Sequence, residues 1–378
     1  MTAHVRAVGI GRFGKRPEPL VDLLAEAGAA ALEEIGRKTI DLLVVGSMAA
    51  GPLAHTENLT SQLADRLGLD TAAGYRVEAA SASGAAAFQA GATAVLGGAA
   101  DRVLVVAGEK MTDRPTPEVA EVLGRSLAPT ERAVGATMPA LAALVAQRYL
   151  AHFGYADAVL DAVSVQARAN AVRNPGAQFP TPVTAEEVRT GRVIAAPLRL
   201  LHCAAVSDGA AAVVVERGHG PATVRGMGQA FDALMVADRP DLLGFRATRT
   251  AAARAYERAH ATRKEIDFAE LHDAFAPFAF LDLEDIGVCG PGEAPQWFAD
   301  GRTAVDGRFP VNPSGGLLGR GHPVGASGLV QVAEVARQLL GRAEAMALPT
   351  RPTMGLAQSI GGLAAHNFVT ILGGGGSA

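Results

Sequence analysis

The chain has only two cysteines in 378 residues, Cys203 and Cys289. That is too few for a disulfide framework or a four-cysteine zinc site. Aromatic residues make up 5% of the chain while hydrophobic residues reach 49%, so the core must be built from Ala, Val, Leu and Ile. The formal charge of −4 excludes a generally basic surface of the kind nucleic acids select. It leaves room for a local basic patch facing a phosphorylated ligand. No stretch approaches eighteen uninterrupted apolar residues, so no membrane span is expected. Met1 to Phe13 lacks a charged region followed by a long apolar run, so no secretory signal is expected and the cytoplasm is the expected location. The segment from Gly373 to Ala378 reads as a frayed tail.

What is abundant is glycine, with 44 residues. A chain this long exceeds what one ordinary core holds, so two domains or a duplicated fold are expected. Strand and helix patterns alternate, and short apolar strands between helices imply sheets covered on both faces. The first half reads as strands Val5 to Ile10, Ile40 to Gly46, Arg76 to Ala79, Arg102 to Ala107 and Ala210 to Glu216, with helices Leu20 to Ile35, Thr60 to Leu67 and Gly84 to Leu96. The second half reads as strands Ala222 to Gly226, Phe268 to His272, Thr353 to Ser359 and His366 to Leu372, with helices Thr248 to Ala259, from Ala276 to Leu283, and from Ser327 onward. A strand, a turn with Ser81 and a helix in one half match a loop with His322 and a helix in the other, which implies a duplication. The expected halves are residues 1–217 and 218–378. Between Glu109 and Leu201 the alternation fails. This insertion, about 110–201, reads as helices Met138 to Phe153, Ala156 to Asn174 and Ala185 to Thr190, and Pro175 disfavours helix at Asn174.

The densest motif runs from Asn312 to Gly328, with six glycines, two prolines and one histidine in seventeen residues. Such a loop lets backbone approach a ligand closely and adopt positive φ. His322, between Gly321 and Pro323, is its one side chain able to move protons near neutral pH. Ser81 sits where a strand turns into an apolar helix, near a helix N-terminus that favours an anion. His272 lies at a strand end, where α/β sheets usually carry their functional groups.

These segments resemble the thiolase family. The resemblance is carried by Gly321-His322-Pro323, by Val77-Glu78-Ala79-Ala80-Ser81-Ala82-Ser83-Gly84 and by Asn170 through Pro180. It continues through Ser207-Asp208-Gly209-Ala210-Ala211, His272-Asp273-Ala274-Phe275 and Ser359-Ile360-Gly361-Gly362. The His-Asp-Ala-Phe form is similar to the sterol-carrier-protein-linked and archaeal branch. The resemblance implies an α/β fold of two mixed five-stranded sheets in an α-β-α-β-α sandwich, with a loop domain inserted in the first half. It implies an acyl-CoA acyltransferase making or breaking a C–C bond by Claisen chemistry. His322 would be the base and His272 an oxyanion donor or proton shuttle. Asn312 would fix the loop, and Ser359 and Gly361 would sit at a second acid/base or oxyanion position. It implies coenzyme A thioester as substrate and no permanently bound cofactor, with Ser314, Arg168 and Arg173 as candidate coenzyme A contacts. Expected partners are a second copy of the chain, or a higher oligomer, and a small zinc-ribbon/OB-fold accessory protein.

The chain departs from the family at two positions. The family's nucleophilic cysteine is Ser81 here. A helix end contributes at most about 2 kcal/mol, roughly one and a half pKa units, so it can generate a thiolate but not an alkoxide. Ser81 is therefore an engineered replacement, a serine nucleophile helped by His322 or His272, a residue of an enzyme that needs no acyl carrier, or a helix cap. The family's second cysteine is Ser359, which is a poor acid or base near neutral pH. Two other readings stay open beside the acyltransferase: an aldolase-type lyase on a β-hydroxyacyl-CoA, and a non-catalytic subunit of a heteromeric complex. Cys203 reads as a small buried hydrophobe.

Overall fold

The computed structural model describes residues 1–374. Of the expected tail, Gly375 to Ala378 lie outside the described residues, and Gly373 ends a strand. In chain order the first half forms β1 (Ala3–Ile10), α1 (Leu20–Glu34), β2 (Leu42–Gly46), α2 (Ala50–Ala54), α3 (Leu59–Leu67), β3 (Ala73–Val77), α4 (Ser83–Leu96) and β4 (Arg102–Glu109). The insertion forms α5 (Thr116–Gly124), α6 (Pro129–Ala133), α7 (Met138–Phe153), α8 (Asp161–Ala171), α9 (Ala185–Thr190) and a hairpin of β5 (Val193–Ala195) and β6 (Leu198–Arg199). β7 (Gly209–Arg217) then returns to the first sheet. The second half forms β8 (Thr223–Phe231), α10 (Arg246–Ala259), β9 (Phe268–Glu270), α11 (Ala276–Asp285), α12 (Ala294–Ala299), α13 (Gly316–Gly319), α14 (Val324–Leu340), β10 (Met354–Gly361) and β11 (His366–Gly373).

The strands lie in the order β3-β2-β4-β7-β1-β8-β11-β10-β9. This corrects the expectation of two five-stranded sheets. Five strands belong to the first half and four to the second, and the two sets join at a narrow seam, where His4 pairs with Thr223 and the Val5 N–H donates to the Ala222 carbonyl at 2.9 Å. The position beyond β9 is filled by a single parallel bridge, Ala269 to Val311. The loop there contains Pro310 and Pro313, which cannot donate to a ladder.

The central strands are buried because they are apolar on both faces, while β3 at the edge is exposed. β2 is buried at every residue, as a sheet covered twice requires. Leu24 and Leu63 of α1 and α3 pack on Leu43, Leu104 and Val214 on one side of the first sheet. Phe88 of α4 and Leu329 and Val332 of α14 fill the middle, between Val44 and Val105 of the first sheet and Ala357 and Leu372 of the second. Phe278, Phe280 and Ala251 of α11 and α10 cover the far side with the insertion. The α4–α14 contact depends on small residues. A Cβ on Gly84 would lie 2.7 Å from the Leu329 nitrogen.

Three local expectations shift. The helix expected over Ala156 to Asn174 is a 3-10 turn, Asp157–Leu160, followed by α8, which stops at Ala171, ahead of Pro175. α14 starts at Val324, immediately after the Pro323 that sets its first turn, not at Ser327. β3 occupies Ala73–Val77, so Glu78 to Ala82 form the turn into α4.

Candidate active site

Ser81 is presented by a tight turn. Ala80 adopts φ +49, a left-handed conformation that few non-glycine residues take and that concentrates at functional turns. Ser83 braces this turn. Its hydroxyl accepts from the Ala79 N–H at 2.9 Å and donates to the Ala80 carbonyl at 2.6 Å. The Ser81 hydroxyl itself donates to the Ile360 carbonyl of β10 at 2.9 Å. Among the described residues Ser81 has no hydrogen bond to a histidine.

His272 follows β9, and its backbone N–H donates to Gln358 Oε1 at 3.0 Å. Its Nδ1 is buried with no hydrogen-bond partner among the described residues. His322 Nδ1 is bonded to Ser327 Oγ at 2.8 Å, across the first turn of α14. That contact leaves Nε2 as the nitrogen free to exchange a proton. The two rings meet edge to face, with centroids 5.2 Å apart and planes at 89°. Burial, and after it the Arg320 guanidinium, push His322 down to about 3. Burial, His322 and Arg320 hold His272 well below its ordinary value. Both imidazoles are therefore neutral at pH 7.

Ser81, His272 and His322 line one cavity of about 180 Å³. Its remaining wall is largely apolar: Val119, Ala120 and Leu123 of α5, Met138 and Pro139 of α7, Phe275 and Phe278 at α11, with Met48, Val324 and Gly362. The insertion thus supplies much of the lining.

The other sequence candidates occupy different places. Asn312, at φ +51, accepts from the Leu271 N–H through Oδ1 at 2.6 Å and so ties its loop to the end of β9. Asp273 accepts from the Leu317 N–H at 2.7 Å, and burial pushes its carboxyl up to about 6. Ser359 is buried with its hydroxyl unpartnered among the described residues, and it does not line the cavity. Gly361 lies one residue from the cavity wall, which Gly362 forms. Ser314 is fully buried on Glu270 and Arg320. Arg168 lies over the Phe179 ring at 4.3 Å, and Arg173 donates to the Ala347 carbonyl. None of these three lines the cavity. Arg168 lies on α8, Arg173 just past its end and Ser314 in the glycine-rich loop, so any contact of theirs with coenzyme A would be made outside this cavity.

Two known assignments of shape and sequence bear on this site. The sequence matches the thiolase N-terminal domain over residues 6–219 and the thiolase C-terminal domain-like family over residues 228–374. The chain belongs to the thiolase family. It is 42% identical to an acetyl-CoA acetyltransferase of Methanothermobacter thermautotrophicus over 333 residues, 85% of this chain and 86% of that one. It is 29% identical to sterol carrier protein 2 of Gallus gallus over 377 residues, 91% of this chain and 67% of that one, which places this thiolase on the sterol-carrier-linked branch. Among solved structures, the Ltp2-ChsH2(DUF35) aldolase superimposes with a TM-score of 0.83 at 26% identity, covering 99% of this chain and 98% of that chain.

Several residues of this thiolase site escape a reading of the sequence. Ser327 braces His322 from five residues on, a spacing without a motif of its own. Cys203 lines the cavity wall, and burial pushes its thiol up to about 12, so it is inert at neutral pH. Arg320 is wholly buried against Glu270. A charged residue flanked by Leu318, Gly319 and Gly321 is the signal that could have found it. No group of three or more His, Cys, Asp or Glu among the described residues is arranged to hold a metal.

Proposed function

We propose that this thiolase acts on acyl-CoA thioesters, transferring an acyl group with formation or cleavage of a C–C bond. The observation that carries the reading is the convergence of Ser81, His272 and His322 on one apolar cavity. In this account position 81 carries the acyl group. His322, neutral and braced through Nδ1, takes the proton released as the nucleophile attacks the thioester carbonyl. His272 donates to the oxygen on which negative charge develops. The apolar wall excludes water, which favours acyl transfer over hydrolysis. Ser81 is the weak point, because its hydroxyl donates to Ile360 rather than to a base. A serine there needs the substrate to displace that bond before His322 can activate it.

The test is thiolysis of a 3-ketoacyl-CoA by free coenzyme A. Turnover by the unmodified chain, raised in Ser81→Cys and abolished in Ser81→Ala, supports the reading. Turnover unchanged in Ser81→Ala contradicts it.

A second reading is supported by the same hydrogen bond and by the aldolase neighbour. If Ser81 is no acyl carrier, two neutral imidazoles can still perform the proton transfers of a retro-aldol cleavage of a β-hydroxyacyl-CoA. None of Tyr75, Tyr149, Tyr155 and Tyr256 lines the cavity, so a histidine would have to be the base. Cleavage that survives Ser81→Ala favours this reading.

The partners follow the same logic. β3 is an exposed sheet edge, and its Tyr75 is 44% accessible. An edge of this kind offers its N–H and C=O groups to a second copy of the chain, so a dimer through β3 is proposed. The neighbour whose description includes a DUF35 protein supports an accessory subunit of the zinc-ribbon/OB-fold type. Co-purification of such a protein, with cleavage gained only in its presence, is the check.

A further inference from the structure

Each site histidine lies two residues after a member of one buried ion pair: Glu270-Leu271-His272 and Arg320-Gly321-His322. We propose that the Glu270–Arg320 pair is the positioning element of the site, locking the end of β9, which leads into His272, to the loop that carries His322 and so setting the separation of the two imidazoles. The inference rests on the acid/base roles proposed for those histidines.

Ser314 bridges the two charged groups. Arg320 Nη1 lies 3.4 Å from Glu270 Oε2 and donates to Ser314 Oγ at 2.7 Å. Ser314 in turn donates to Glu270 through its hydroxyl at 2.7 Å and through its backbone N–H at 3.0 Å. Both charged side chains are completely buried. Gly321 makes the arrangement sterically available. At φ +124 it turns the chain so that Arg320 points into the core while His322 faces the cavity. A Cβ there would come within 2.9 Å of Ser207 Oγ.

Stability does not explain the pair. Buried ion pairs are commonly matched or bettered by apolar residues of the same volume, and in some proteins they are kept because they fix one register of the elements they join. Here the pair joins the short β9 to a loop whose backbone is tied only at isolated points among the described residues, such as the Ala269–Val311 and Val206–His322 bridges and the Gln178 N–H to Arg320 carbonyl bond at 2.8 Å. Arg320 is also under-bonded: its Nε and Nη2 have no hydrogen-bond partner among the described residues, and Phe13 lies 5.6 Å from its Cζ. A guanidinium held this way is a fixed positive charge behind both rings, and it appears among the causes that keep each ring neutral. Glu334 of α14 and Asp273 are further buried acids that feel this cation.

The test compares the full-length protein with Glu270→Gln/Arg320→Met, which removes both charges together, and with Glu270→Gln and Arg320→Lys. Two readouts are taken: the imidazole 13C resonances of His272 and His322, assigned by their Asn variants, and kcat and KM for the acyl-CoA reaction. The proposal expects the double variant to move both ring resonances and to lower kcat at least tenfold with KM within about threefold. Arg320→Lys should recover part of both. The ring resonances do not depend on turnover, so they decide the matter even if the acyl-CoA reading fails. If the double variant does not fold, the two single variants carry the same comparison. Ring resonances unchanged in a folded variant lacking the Glu270 charge overturn the proposal. So does a loss of thermal stability with kcat intact.

Discussion

The imidazoles of His272 and His322 touch edge to face, 5.2 Å between centroids, although fifty positions separate them in the chain. The contact exists because two separate devices deliver the rings to one point. β9 ends against Gln358 of β10, and α14 begins under Ser327. Replacement of either ring by Asn removes a proton-transferring group without creating a large void. His322→Asn and His272→Asn are expected to lower kcat by about 10² to 10⁴-fold, with KM little changed. Steady-state kinetics on the acyl-CoA substrate checks this.

The pH dependence follows from neutral rings. A free histidine gains its proton near 6.5, whereas His322 is pushed down to about 3 and His272 also lies well below its ordinary value. The folded protein therefore binds fewer protons than the unfolded chain between those values. Stability from these rings is complete above pH 6.5 and is lost as pH falls toward 3. The acid limb of kcat/KM should likewise lie below 6.5 rather than at it. A pH–rate profile, with denaturant melts of His322→Asn alongside the parent, measures both.

Ser327 touches no ligand in this account, yet it holds His322 Nδ1 at 2.8 Å. Ser327→Ala leaves a buried ring nitrogen without that partner, at a cost of about 1–3 kcal/mol. It also frees the ring to turn. The expected outcome is a lowered kcat together with a modestly lowered Tm, and Ser327→Thr should restore both.

The cavity wall sets which acyl groups fit. Phe278 is buried and packs edge to face on Phe245 and Phe275 at 5.0 and 5.2 Å. Phe278→Ala should cost about 3–5 kcal/mol of stability and shift preference toward longer or bulkier acyl chains, read as relative kcat/KM across a chain-length series. Gly84→Ala, at the α4–α14 contact behind Ser81, should destabilise by about 1–3 kcal/mol through overpacking. Thermal unfolding reports it.

Much of this architecture is legible in the residues. Continuous apolar runs at Leu42–Gly46 and Gly209–Arg217 mark strands buried on both faces, and the glycine-rich loop marks the site. The junction of the halves is not legible, because it is a short seam at His4 with Thr223 and Val5 with Ala222, and no local pattern encodes it. The orientation of the three coenzyme A candidates is illegible for a related reason. Arg168, Arg173 and Ser314 are polar residues near a motif, and only tertiary packing decides whether such residues face a cavity or a neighbouring loop. Glu270 and Arg320 lie fifty positions apart beside the two histidine motifs, and only the tertiary fold pairs them.

The central claim is that position 81 receives an acyl group in the pocket shared by two histidines. Intact-protein mass spectrometry after brief incubation with an acyl-CoA thioester tests it most directly, on the unmodified chain and on Ser81→Cys. The account predicts a mass increase of one acyl group on Ser81→Cys, slower or absent on the parent, and lost from Ser81→Cys when His322→Asn is added. A Ser81→Cys protein that folds, binds the thioester and gains no mass would contradict it.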